Sequence, residues 1–210
     1  MDRLSIECVR EEMGLTIPVE AGALLLIEVD GDEVIVARHK EVVRSVCQAG
    51  GAFSIQGAFG EQEAQKLWEA RRNVSPSLYK LRPHKINEDV VVPRSKLVPL
   101  LTHLEYLSEH CGLPIPAFGH AGDGNIHVNI MLDKTDPKEL KMAETATWEL
   151  FRNVLDLGGT ITGEHGIGIT KAPFLNMEIP EHGTALMGRI KNAFDPQGIL
   201  NPGKIFNYRI

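Results

Sequence analysis

An α+β fold, with an antiparallel sheet and helices packed on one of its faces, follows from three features of the 210-residue sequence. Apolar runs of strand length alternate with amphipathic stretches in the order strand–helix–strand–helix, and that order occurs twice. The first helix of each set ends in a cysteine ahead of glycine, Cys47 before Gly50-Gly51 and Cys111 before Gly112. Gly122-Asp123-Gly124 separates two apolar arms, which is the signal of a hairpin. Duplicated ferredoxin-like units would give this order. No low-complexity linker divides the chain, so residues 1–210 read as one domain.

In order, residues 2–13 carry Leu4, Ile6 and Val9 at helical positions, and Gly14 and Pro18 then punctuate the chain. Ala23–Val29 is a compact apolar run before Asp30-Gly31 and reads as a buried strand. Residues 32–48 have apolar positions spaced as a helix, although their valines favour a strand. Ala52–Gln56 follows as a second strand. Residues 61–73 form a helix expected to fray before Pro76. Glu88–Val92 is a third strand, closed by Pro93. Residues 95–110 form a helix with Leu97, Leu100, Leu101, Leu104 and Leu107 on its inner stripe. Pro114–His120 and Asn125–Leu132 are the hairpin arms. A long helix runs from Pro137 to Leu157, since proline is acceptable in a first turn. Thr160–Thr162 is a short strand, the glycine-rich turn 163–168 comes next, and a helix near 182–193 precedes a Pro/Gly-punctuated tail.

Composition bounds the function. With 43% hydrophobic and 24% charged residues the chain is an ordinary globular protein. A formal charge of −6 without a dense Lys/Arg cluster argues against nucleic acid as a partner. No apolar run reaches the roughly 18–20 residues of a transmembrane segment, and the start lacks the apolar core of a signal peptide. Three cysteines without CxxC spacing fit a reducing cytoplasm better than a disulfide framework.

The hairpin carries the chemistry. If Asp123 and Gly124 form a two-residue turn, His120 stands opposite His127, and opposed residues share a sheet face with Cβ atoms roughly 4.5–5.5 Å apart. Two imidazoles so placed can close on one metal ion. The best third ligand is Glu164 of Gly163-Glu164-His165-Gly166, on a glycine-rich turn that permits close backbone approach. Two histidines and a carboxylate suit zinc or another divalent ion with a position left open. Asn129 lies on the His127 face of its strand. His39, His84, His103, His110 and His182 read as ordinary surface or core histidines. These residues lead to a metal site and stop short of a reaction.

Phe118–Asn129, Gly159–Gly168 (GTITGEHGIG) and Phe194–Lys204 (FDPQGILNPGK) closely resemble the C-terminal domain of FAD-linked oxidases of the vanillyl-alcohol oxidase type. Leu67–Arg72 and Asp89–Pro93 extend the resemblance over essentially the whole chain. The nearest branch resembles D-lactate dehydrogenase, the D subunit of glycolate oxidase and D-2-hydroxyglutarate dehydrogenase. The resemblance implies oxidation of a D-2-hydroxy acid to the 2-oxo acid, with metal activation of the hydroxyl and hydride transfer to FAD. It implies metal ligation by His120, His127 and Glu164, with zinc or manganese as the ion, and a catalytic base at His165. Arg71, Ser75 and Asn129 fall on substrate-binding positions. A substrate-clamping lysine of the hydroxyglutarate branch aligns with Asn87, with Lys85 two residues away, which favours a lactate- or glycolate-like substrate. Asn201, in Asn201-Pro202-Gly203-Lys204, either touches the flavin edge or belongs to a turn that simply stops the last helix.

Nothing in the chain resembles the family's N-terminal FAD-binding domain or its glycine-rich phosphate loop. The expectation is a fragment or separate domain that binds FAD weakly, is inactive alone, and meets its FAD-binding domain in the full-length protein. An electron-acceptor partner could hold that protein peripherally at a membrane. Two other functions stay open from the residues: a flavin-free metallohydrolase using the same His/His/Glu site, and a non-catalytic interaction subunit.

Overall fold

A computed structural model describes residues 1–11 and 17–206, so the end of the expected helix 2–13 and Gly14 lie outside the described residues. The chain divides into two compact units, Met1–Ser77 and Leu78–Ile210.

In the first unit, α1 (Arg3–Val9) starts at Asp2, whose carboxylate accepts the Ser5 N–H at 2.9 Å. Its Ile6 and Val9 are buried, and it packs on α3 (Gly60–Ser77), where Val74 is buried. Between them in sequence, α2 (Glu33–Ala49) is capped by Asp32, which accepts from Val34 and Ile35 N–H. The Gly50 N–H closes on the Val46 carbonyl at its end. Contrary to the expected fraying, α3 runs through Pro76 to Ser77. A proline in the last turn removes one hydrogen bond, which the rest of the helix tolerates.

The strands expected at Ala23–Val29 and Ala52–Gln56 do not form. Among the described residues, Ala23 makes one isolated bridge to Asp2, and 52–56 pairs with no strand. An apolar run becomes a strand only where a neighbour completes its ladder. Here Leu25 and Phe53 stay exposed, and Glu28 instead accepts the Trp68 indole N–H at 2.8 Å. The first unit is therefore helical, and the antiparallel sheet belongs to the second.

That sheet has the order β1-β3-β2, with β1 His84–Val91, β2 Ala117–His120 and β3 Asn125–Leu132. Pro114 and Pro116 shorten the first hairpin arm, because neither has an N–H for the ladder. Their carbonyls still accept from Met131 and Asn129 N–H. Thr160 makes a single bridge to Val91 in place of the expected strand 160–162. α4 (Leu97–Cys111) buries Leu100, Leu104 and Leu107 and ends at Gly112 in the left-handed region. α5 (Pro137–Asp156), capped by Asp136, buries Ala143, Ala146, Leu150, Phe151 and Val154. It packs on α4, β1 and β3. These side chains meet Val90, Ile126, Val128, Ile130 and Leu132, so one sheet face is apolar core and the other is left for polar residues. α6 (Leu175–Glu178) and α7 (Glu181–Phe194) follow. Phe174 packs edge-on against buried Phe151 and half-exposed Trp148.

The hairpin register differs from the expected one by two residues. His120 pairs with Asn125, and Phe118 pairs with His127. A two-residue type I′ turn needs positive φ at both Asp123 and Gly124; Gly124 alone has it, at 75°. The Asp123 N–H closes instead on the His120 carbonyl at 3.0 Å, and the loop spans 121–124. Because side chains alternate with period two, an even shift keeps His120 and His127 on one face, now as diagonal neighbours.

Gly124 also presses on Val92: a Cβ there would lie 2.1 Å from the Val92 carbonyl oxygen. Gly124→Ala is therefore expected to destabilise the protein by at least about 1–3 kcal/mol in urea unfolding, from backbone strain alone. Gly122→Ala, where a Cβ meets nothing within 4 Å, is the control and should be near neutral.

Candidate metal centre

Three elements of the second unit converge on the polar face of the sheet. β2 ends at His120, β3 carries His127, and the loop after Thr160 carries Glu164. Their potential ligand atoms all lie within 4.8 Å of one another. His127 Nε2 is 3.3 Å from Glu164 Oε1, and the His120 and His127 rings stand nearly perpendicular with centroids 5.9 Å apart. Donors around a tetrahedral ion at about 2.0–2.2 Å are about 3.4 Å apart. The His127–Glu164 spacing already matches that, and the exposed His120 completes the group within 4.8 Å. His127 is buried while His120 and Glu164 are exposed, which anchors the group on one side and leaves the other open to a ligand.

The neighbouring strands bring further polar groups to this face. In the register of β1 against β3, Asp89 pairs with His127, Asn87 with Asn129, and Lys85 with Met131. Asn129 is fully buried, and its amide nitrogen donates to the His127 carbonyl at 3.3 Å. Among the described residues its Oδ1 has no hydrogen-bond partner, and neither has the buried Oδ1 of Asn125. Buried acceptors are rarely left so, and both fit a site that takes a polar ligand. Burial pushes the Lys85 amine down from its ordinary range.

The loop carrying Glu164 is held from below by one carboxylate. Asp89, with no exposed surface, accepts at Oδ2 from the N–H groups of Gly163, Glu164 and His165, at 2.8, 2.6 and 2.9 Å. Its Oδ1 takes the Thr162 hydroxyl at 3.3 Å and the Lys171 ammonium. Lys171, itself buried, also donates to the Asp89 and Ile161 carbonyls. Burial alone would raise the Asp89 carboxyl, but the hydrogen bonds from Lys171 and the loop N–H groups outweigh it and hold the group well below the usual carboxylate range. Glu88, 3.6 Å from Lys171 on the core side, is pushed up by burial despite that cation. The loop lies close because residue 163 is glycine: a Cβ there would come within 2.8 Å of the Asn125 amide. His165 is thereby set beside the ligand group, its ring stacked on His127 at 5.4 Å and its Nδ1 3.4 Å from Asp89 Oδ1.

His120, His127, Glu164, His165 and Asn129 thus share one face of the second unit. Arg71 and Ser75 lie in the first unit, four residues apart on α3, and so on one side of that helix, both half-buried. Asn201 is exposed in the tail, with φ 48°. Asp89 and Lys171 did not emerge from the sequence as site residues. The adjacent acids Glu88-Asp89 at the head of a valine run were the available signal, since one of the pair must face the core.

Residues 1–205 match the family described as FAD linked oxidases, C-terminal domain. The chain belongs to that family. Across 206 residues it is 40% identical to the glycolate oxidase subunit GlcD of Bacillus subtilis, covering 98% of this chain and 44% of that protein. A probable mitochondrial D-lactate dehydrogenase of Danio rerio is 32% identical over 185 residues, 86% of this chain and 37% of that protein. A D-2-hydroxyglutarate dehydrogenase of Stutzerimonas stutzeri is 37% identical over 151 residues, 70% of this chain and 32% of that protein. The chain therefore spans less than half the length of these relatives. A 4-ethylphenol oxidase from Gulosibacter chungangensis, solved as its isoeugenol complex, shares the fold at a TM-score of 0.53 and 20% identity, over 83% of this chain and 37% of that one. The FAD-linked oxidase C-terminal domain is α+β in this chain, as expected. Among its described residues no helix is long and apolar enough to cross a membrane.

Proposed function

We propose that the chain is the substrate-binding domain of an FAD-dependent dehydrogenase that oxidises a D-2-hydroxy acid, lactate- or glycolate-like, to the 2-oxo acid. The observation that carries this reading is the His120–His127–Glu164 group with His165 stacked beside it, in a chain of a family whose name carries FAD. Residues 1–210 act as one functional domain, and a separate FAD-binding domain holds the flavin. His120, His127 and Glu164 would hold a divalent ion, zinc or manganese, which when bound supplies Lewis-acid polarisation of the substrate hydroxyl.

His165 takes the hydroxyl proton, the general-base role that a positioned imidazole beside the reacting group can fill. Arg71 pairs with the substrate carboxylate through two parallel N–H bonds, with Ser75 one turn on as a hydroxyl donor. Asn129 orients the substrate through its amide, whose buried oxygen is available to accept a hydrogen bond. Asn201 would lie toward the flavin edge when FAD is bound. FAD, when bound, would supply the hydride acceptor, and an acceptor partner would take up its electrons. With Asn87 rather than lysine on β1, a second substrate carboxylate has no fixed cation at that position, which favours a monocarboxylate.

The test is anaerobic mixing of the flavin-loaded full-length protein with D-lactate, glycolate and D-2-hydroxyglutarate. Flavin bleaching is expected with lactate or glycolate, and its loss after chelation and return with zinc or manganese. No bleaching with any hydroxy acid, together with zinc-dependent hydrolysis by the isolated chain, would overturn the reading.

A further inference from the structure

We propose that Asp89 is the positioning residue of this site, setting Glu164 through the loop backbone and His165 through both its backbone and its ring. The inference rests on the reading of His165 as the base. One carboxylate spans both jobs. Oδ2 gathers three consecutive N–H groups, Gly163 to His165, so the direction in which the Glu164 side chain leaves the loop is fixed from beneath. Oδ1 faces His165 Nδ1 at 3.4 Å. Asp89 also pairs with His127 across β1 and β3, so the same residue registers the loop against the strand that bears a ligand.

A carboxylate only accepts hydrogen bonds. Beside it, neutral His165 keeps its proton on Nδ1 and leaves the Nε2 lone pair for the substrate. The competing acceptor is Glu164 Oε1, which lies 4.0 Å from Nε2. That is beyond hydrogen-bond reach, and the same oxygen stands 3.3 Å from His127. Asp89 is buried and Glu164 half-exposed, so the nearer acceptor is also the less screened one. Lys171 makes the arrangement stable, because its ammonium supplies the countercharge and donates to the Asp89 and Ile161 carbonyls on either side. Asparagine would not substitute. Its single amide oxygen cannot meet both the loop N–H groups and Lys171, and its NH₂ would oppose one of them.

The tautomer is read directly by long-range ¹H–¹⁵N correlation on the labelled, metal-free chain, at a pH where the imidazole is neutral. His165 is expected with Nδ1 protonated and Nε2 bare. In Asp89→Asn that preference should be lost, and zinc or manganese affinity measured by calorimetry should fall about 10–100-fold, as for other partners that orient ligands from behind. A wild-type His165 protonated on Nε2 would overturn the proposal, as would an Asp89→Asn protein with unchanged tautomer and metal affinity. Should that variant not fold, the wild-type spectrum decides alone. Neither readout involves turnover, so failure of hydroxy-acid oxidation and failure of this inference are separate results.

Discussion

Replacing His165 by Gln in the flavin-loaded full-length protein is expected to slow substrate-driven flavin reduction by about 10²–10⁴-fold, the range that a positioned general base contributes. Glutamine keeps a polar side chain of similar length but takes no proton. His165 is not one of the three grouped ligand residues, so bound metal should stay at the wild-type level. Its backbone N–H still reaches Asp89, so thermal stability should change little. Stopped-flow reduction by D-lactate, beside metal analysis of the same sample, checks all of this. Wild-type reduction rates in His165→Gln would remove His165 from the chemistry.

His127→Ala is expected to have the larger effect on metal. His127 is the buried member of the ligand group, faces Glu164 at 3.3 Å, and stacks on His165. Removing it takes away one of three donors and leaves two exposed ones. The loss of zinc or manganese affinity should exceed the roughly 100-fold upper range seen when only a supporting partner is removed. His182→Ala, on α7 outside the ligand group, is the control and should bind metal normally. Calorimetric titration of the two variants separates a specific site from casual binding by surface histidines.

Local signals in the sequence mapped onto structure where one element could satisfy them by itself. Helices formed over the stretch 32–48 and from Pro137, Gly112 ends α4 in the left-handed region, and the leucine stripe of α4 is buried as its spacing requires. The shared sheet face of His120 and His127 survived an incorrect turn, although the two no longer pair directly, because the register moved by two and alternation on a strand is blind to even shifts. Non-local requirements were harder to read. Ala23–Val29 and Ala52–Gln56 have the composition of strands, but strand formation depends on a partner that composition does not reveal. The Asp89 cradle joins residues 74 to 76 apart in sequence. Its trace in the sequence is the adjacent acids Glu88-Asp89, both buried, which no short motif ties to the distant loop. Glu164 was reachable because glycine on both sides advertised a tight loop next to a strand, whereas Lys171 carried no comparable flag.

The most direct measurement is an anomalous diffraction map from crystals of the protein grown or soaked with zinc or manganese. One peak is expected about 2.0–2.2 Å from a ring nitrogen of His120, a ring nitrogen of His127 and a carboxylate oxygen of Glu164. No peak at this group, or an ion bound elsewhere while the group stays open, would contradict the assignment of these three residues as a metal centre.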